Sequence, residues 1–195
     1  MVSAERATGN RFSAVRRSAA QHRILDAALT LIADYGVGGT SLQMIADAVG
    51  VTKAAVYHQF RTKEELVIAL TERELGRLDD ALEAAEAEES RARAREVLLS
   101  RVIDMAVERR RAASTLQFDP VIIRLLADHE PFQQFLTRLY GVLLGDAGDE
   151  ARVRAAMLSG AIGVAVVHPL VADVDDESLR SQLLLLTRRL LALPE

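Results

Sequence analysis

The sequence predicts an all-α protein of about nine helices, with a small three-helix unit at the N-terminus and a larger helical body behind it. Three observations carry this. Ala, Leu, Arg and Glu dominate the 195 residues, while Pro, Tyr and Phe are scarce and Trp is absent, a mixture that favours helix over sheet. Apolar residues recur every three or four positions along most of the chain, with no competing alternation of period two. The interruptions fall at Gly, at Pro and at hydroxyl or carboxylate residues suited to capping.

Each element follows in order. Residues 1–17 are polar, small and basic without apolar period, and read as a disordered basic arm. Ile24, Ala27, Ala28, Leu31 and Ile32 mark a first helix that ends at Gly36. Thr40 or Ser41 caps a second helix with apolar face Leu42, Ile45, Ala46 and Val49, and Gly50 closes it. A short third helix spans 53–59. Thr62 caps a long fourth helix, with Glu65 at the third position of a capping box, and this helix runs to about Ala87. Residues 92–113 predict one long helix. Asp119-Pro120 and Glu130-Pro131 each start a further helix, since proline suits the first helical position, and the second runs to about Leu144. Helices over 149–170 and 176–193 close the chain. The domains are therefore expected at 18–62 and 63–195.

Charge divides along the same boundary. The net charge is −4. Between Arg11 and Lys63, however, seven Lys/Arg face three acids, whereas residues 64–195 hold 16 bases and 24 acids. A basic head on an acidic body fits a polyanion-binding module joined to a part that does not touch the polyanion. Zero cysteines removes disulfides and thiolate metal sites. No apolar run reaches membrane-spanning length, no signal peptide is evident, and a cytoplasmic location is expected.

Residues 42–59 satisfy the demands of a helix-turn-helix together. Steeply crossing helices need a small residue at their contact, which Ala46 supplies. The turn needs a residue tolerant of positive φ, which is Gly50. Ile45, Val49, Val51 and Val56 face the joint. Thr52, Lys53, Ala55, Tyr57 and His58 then lie on a third helix free to enter a DNA major groove.

Between 24 and 70 stand Ile24-Leu25-Asp26-Ala27-Ala28, Tyr35-Gly36, Thr40-Ser41-Leu42, Ile45-Ala46, Gly50-Val51-Thr52-Lys53, Val56-Tyr57-His58-Gln59-Phe60 and Lys63-Glu64-Glu65-Leu66. In these residues the chain resembles the tetracycline-repressor (TetR) family of bacterial regulators. Ala54 stands where the family often has Gly. The resemblance implies a repressor released from a palindromic operator by a small-molecule effector. It assigns DNA contacts to Thr40, Ser41, Thr52, Lys53, Ala54, Ala55, Tyr57, His58 and Lys63, with Thr40, Ser41 and Lys63 on phosphate. Phe60 reads as core. Arg11, Arg16 and Arg17 fit either an arm reaching DNA or a solvated tail.

The body carries two further patterns. Leu179, Leu183, Leu186 and Leu190 form a stripe widened by Leu184, Leu185 and Leu191, too broad for one core face. Ala156, Gly160, Gly163 and Val167 form a small-residue seam. Together they predict a homodimer through an intermolecular four-helix bundle. A ligand pocket between the fourth and eighth helices draws its candidates from Leu98, Val102, Met105, Leu116, Phe118, Phe132, Phe135, Tyr140, Met157 and His168, each of which also reads as core. The set is mostly apolar and implies an apolar or aromatic effector. Asp128-His129-Glu130 are sequence neighbours that point different ways on a helix, so no metal is expected there, nor any cofactor. The rival reading is a helical-bundle small-molecule-binding protein or enzyme without a DNA role. It lacks a convergent constellation, because His22, His58, His129 and His168 fall on separate elements.

Overall fold

A computed structural model describes residues 12, 15–145 and 148–191; most of the expected N-terminal arm, including Arg11, lies outside them. Among the described residues there are ten α-helices and no strand. The first four are α1 (Ala19–Gly39), α2 (Leu42–Val49), α3 (Lys53–Gln59) and α4 (Lys63–Ala87). Next come α5 (Arg91–Glu108), α6 (Arg110–Phe118), α7 (Pro120–Ala127) and α8 (Glu130–Leu144). Last are α9 (Asp149–Ala165), a 3-10 turn (Pro169–Val171) and α10 (Asp176–Leu190). No helix here is long and apolar enough to cross a membrane.

Local chemistry explains most boundaries. Ser18, Ser41, Thr52, Thr62 and Ser90 each accept from a backbone N–H one turn into the helix that follows, satisfying donors that the helix itself leaves open. The capping box expected at Thr62 is half made. Thr62 accepts from Glu65 N–H, but the Glu65 carboxylate accepts from Arg61 N–H, one residue earlier. Inside α1, Gly36 breaks the helical path at φ 71°, ψ 171°, so the regular helix ends where the sequence placed its end.

The long helix expected over 92–113 is two helices. The chain turns at Arg109 (φ −131°, ψ 40°), with neither Gly nor Pro at the break. Tertiary partners mark the spot: Arg109 reaches Glu74 on α4 at 3.5 Å, while Arg110 binds Asp176 and the carbonyl of Val174.

Two apolar cores result. The N-terminal core packs Ile24, Leu25, Ile32, Ile45, Val56 and Phe60 with Leu66 and Leu70 of α4, and takes in Ile122 and Leu126 of α7. The second core joins α4, α5, α8, α9 and α10 around Leu82, Leu98, Ile103 and Phe135. Helix α4 contributes to both. Two of the arm's described residues are docked, while Val15 and Arg16 between them stay exposed. Phe12 is buried with its ring 5.5 Å from that of Phe135, and Arg17 pairs with Glu72 at 2.9 Å. Burial pushes the Arg17 guanidinium below its ordinary value, against the opposing pull of Glu72. The solvated-tail reading therefore does not describe Arg17.

Candidate nucleic-acid interface

The joint between α2 and α3 is built as its residues require. Ile45, Ala46 and Val56 are fully buried at the crossing. Gly50 takes φ 76°, ψ 37°, and its N–H closes onto the carbonyls of Ala46 and Asp47; a left-handed residue here ends α2 and turns the chain into α3. Val51 N–H follows onto Ala46 O at 3.0 Å. From α1, Arg23 donates to Val49 O at 3.0 Å and so ties the end of α2.

With one face of α3 committed to the core, the other is open. Lys53, Ala54, Ala55, Tyr57 and His58 are all exposed, as is Thr52 before them. Lys53 Nζ lies 5.6 Å from the Tyr57 ring centroid, so a cation sits over the ring face. Gly38 to Leu42, Lys53, Tyr57 and Arg61 to Glu64 together line one concavity of about 500 Å³. Two helix starts, those of α2 and α4, meet at this concavity. Their free N–H groups and dipoles favour an anion there, and Lys53 and Arg61 add full charges. The surface thus suits phosphate, with α3 standing out beside it.

Two of the expected DNA contacts occupy different positions. Thr40 lines the concavity, but it is only 2% exposed and its hydroxyl donates to Gly36 O at 2.8 Å; it locks the turn from inside. Lys63 Nζ donates to Val37 O at 2.8 Å and Thr40 O at 3.1 Å. Its first task is to hold the carbonyls that end α1, which leaves at most its third proton for a phosphate. Ser41 is exposed and retains its O–H while its oxygen caps α2. Arg61, not among the expected contacts, lies in the short connection between α3 and α4, where no helical period marks it.

The ten residues expected at a ligand pocket do not form one wall. Leu98 and Phe135 lie deep in the second core, with Val102, Met105 and Tyr140 packed against it. Burial raises the Tyr140 phenol above its ordinary value, opposed by a hydrogen bond with Ser159. Leu116 and Phe132 pack on the other core. Met157 is 57% exposed and Phe118 40%, so Met157 belongs to the outer face. His168 is exposed and accepts from Leu170 N–H, capping the 3-10 turn.

The expected dimer stripe also divides. Leu186 and Leu190 are exposed, as are Ala156 and Val167, with Gly160 partly so. Leu179 and Leu183 instead point into the protomer's own core. Gly163 is likewise an internal contact. A Cβ there would collide with the Gln117 side chain and fall 2.9 Å from the Phe118 ring, so its bareness lets α9 approach α6. The exposed apolar face is completed by Val153, Met157 and Val164 on α9 and Leu170 beyond it.

The geometry defines a helix-turn-helix unit carried by an all-helical body. Residues 24–70 match the family described as bacterial regulatory proteins, tetR family. A relative, the HTH-type transcriptional regulator BetI of Rhizobium meliloti, is 42% identical over 74 residues, which are 37% of this chain and 34% of BetI. The chain thus matches about a third of that relative's length. The fold extends further. The fatty acid degradation regulator FadR of Bacillus halodurans superposes with TM-score 0.70 at 21% identity, covering 91% of this chain and 97% of that one. FadR of Bacillus subtilis, solved in complex with stearoyl-CoA, gives TM-score 0.61 at 21% identity over 88% and 96% of the two chains. Residues 24–70 are thus similar to the tetR family's helix-turn-helix region, and the all-helical fold is shared with these solved structures.

Proposed function

We propose that this protein is a homodimeric DNA-binding transcription regulator of the cytoplasm, a repressor that reads a palindromic operator and is released by a small-molecule effector. The observation that carries the reading is the single surface formed by the starts of α2 and α4, Lys53, Arg61 and the open face of α3. Backbone donors and cations there fix a protein on phosphate, while Thr52, Ala54, Ala55, Tyr57 and His58 face outward to meet base edges or sugars.

The apolar outer face of α9 and α10 supports the dimer. Met157, Val164, Leu186 and Leu190 stand in water in a lone protomer, and a second copy would cover them across a two-fold axis. Two recognition helices then engage half-sites about 34–36 Å apart. The effector is proposed to be apolar or aromatic. The interior around Leu98, Val102, Met105 and Phe135 offers apolar surface, and the likeness to a fold that holds stearoyl-CoA agrees with that chemistry. Nothing in this reading requires catalysis.

A mobility-shift assay at low salt, with the DNA upstream of the protein's own gene, tests the reading. The wild type should retard that fragment and Tyr57→Ala should not, while both remain helical and of equal size in solution. Absence of any shift with the wild type, over that fragment and its flanks, would remove the proposal.

A further inference from the structure

Asp119 bonds to both parts of the molecule at once. Its Oδ1 accepts from Val121 N–H at 2.8 Å and Ile122 N–H at 3.4 Å, which caps α7. Its Oδ2 accepts from Val37 N–H at 2.9 Å, 82 residues away, in the last turn of α1 just past the break at Gly36. On the other side of the same residue, Val37 O accepts from Lys63 Nζ. Val37 is therefore gripped through its donor by an anion and through its acceptor by a cation. It is 1% exposed, so water does not replace a lost partner readily. The residue just before it, Gly36, holds positive φ and provides the bend that turns this N–H toward the carboxylate.

The position of this clamp matters. Gly38 to Ser41, the next residues of the chain, line the phosphate-facing concavity and lead into α2. Asp119 itself stands at the corner between α6 and α7, and its own N–H ends α6 on Thr115 O. Helix α6 in turn packs on α9 through Gln117, which bonds Ser159, and through the bare Gly163. Its other end is also tied toward α1: Arg109 meets the buried Glu74, Glu74 meets Arg73, and Arg73 reaches Asp26 on α1 at 2.8 Å.

We infer that Asp119 is a positioning residue for DNA recognition, holding the turn that feeds α2 to the corner between α6 and α7. The inference rests on the DNA-binding reading above. A displacement of that corner pulls the Val37 turn with it or breaks the bond, and either result moves the start of α2 relative to α3. The clamp thus makes the state of the helical body felt at the reading head.

Two variants separate this role from plain capping. Asp119→Asn and Asp119→Ser both keep an oxygen able to cap α7. Asn offers a single accepting oxygen and Ser is too short to serve both sites; with that oxygen on the two N–H groups of α7, Val37 loses its acceptor in each. Serine also serves where the Asn variant misfolds. Amide exchange measured by NMR on the full chain should show Val37 exchanging about 10- to 100-fold faster in the variants, with Val121 unchanged. Affinity is read on the duplex that the wild type retains from a random-sequence pool, and it should fall about tenfold with an unchanged salt slope, because no phosphate contact is removed. Unchanged Val37 exchange overturns the clamp. Faster exchange with undiminished affinity overturns its role in recognition. If the wild type retains no duplex, the DNA reading and the positioning role fall together, and the Val37 result still decides whether the clamp exists.

Discussion

Replacing Lys53 by alanine should flatten the salt dependence of DNA binding without altering the fold. Lys53 is the first residue of α3, exposed, with its ammonium over the Tyr57 ring and beside the concavity lined by Arg61, Thr62 and the start of α2. It caps no helix and closes no core, so its removal costs little stability. On DNA, each cation placed on a phosphate releases counterions, and the logarithm of affinity falls with the logarithm of salt by about 0.9 per phosphate neutralised. A dimer carries two copies of Lys53, so the variant should lose about 1.8 from the slope, equivalent to roughly a tenfold difference over the interval from about 50 to 200 mM salt. Fluorescence anisotropy of a labelled selected duplex across that range measures the slope directly. Lys63→Ala is the control. Its ammonium already holds Val37 O and Thr40 O, so it should lower thermal stability and move the slope less than Lys53→Ala. A wild-type slope in Lys53→Ala, or a larger slope change in Lys63→Ala, would refute this division of labour between the two lysines.

Other consequences follow from the same structure. Leu186→Glu with Leu190→Glu places charge on a face already open in the protomer, so helicity should persist while sedimentation shifts from dimer to monomer; undiminished association would remove these residues from the interface. Gly50→Ala meets no neighbour within 4 Å, and its whole cost is the positive φ of 76°. That cost is about 1–2 kcal/mol for a residue with a Cβ, a loss of roughly 2–4 °C in melting temperature per kcal/mol in a chain of this size. Differential scanning calorimetry that finds no loss would contradict the strain argument.

The head of the molecule was largely legible because its signals are local. Ser41, Gly50, Thr52 and Thr62 set their helix ends by short-range hydrogen bonds, and Ile45, Ala46 and Val56 meet at a spacing that helical geometry alone dictates. What escaped depends on distant partners. The break at Arg109 has no Gly or Pro, and its neighbours Glu74 and Asp176 come from other helices. Asp119 announced itself as a cap before Pro120, but nothing nearby in the chain marks its bond to Val37. Periodicity marked a broad leucine stripe on α10 and a small-residue seam on α9 but did not say which residues faced inward. That ambiguity placed Leu179, Leu183 and Gly163 at the dimer surface and Met157 in the interior, each the reverse of where it packs. Thr40 and Lys63 show a related limit: a residue type suited to phosphate is equally suited to holding a backbone turn.

The most direct test of the central claim is the sequence that the wild-type protein selects from a random pool of duplexes, read together with the number of protomers bound. The account predicts a palindrome with half-site centres about one helical turn, roughly 10 bp, apart or a multiple of it, and an even number of protomers on each duplex. Enrichment of no sequence, or of a single unrepeated half-site held by one protomer, would contradict it.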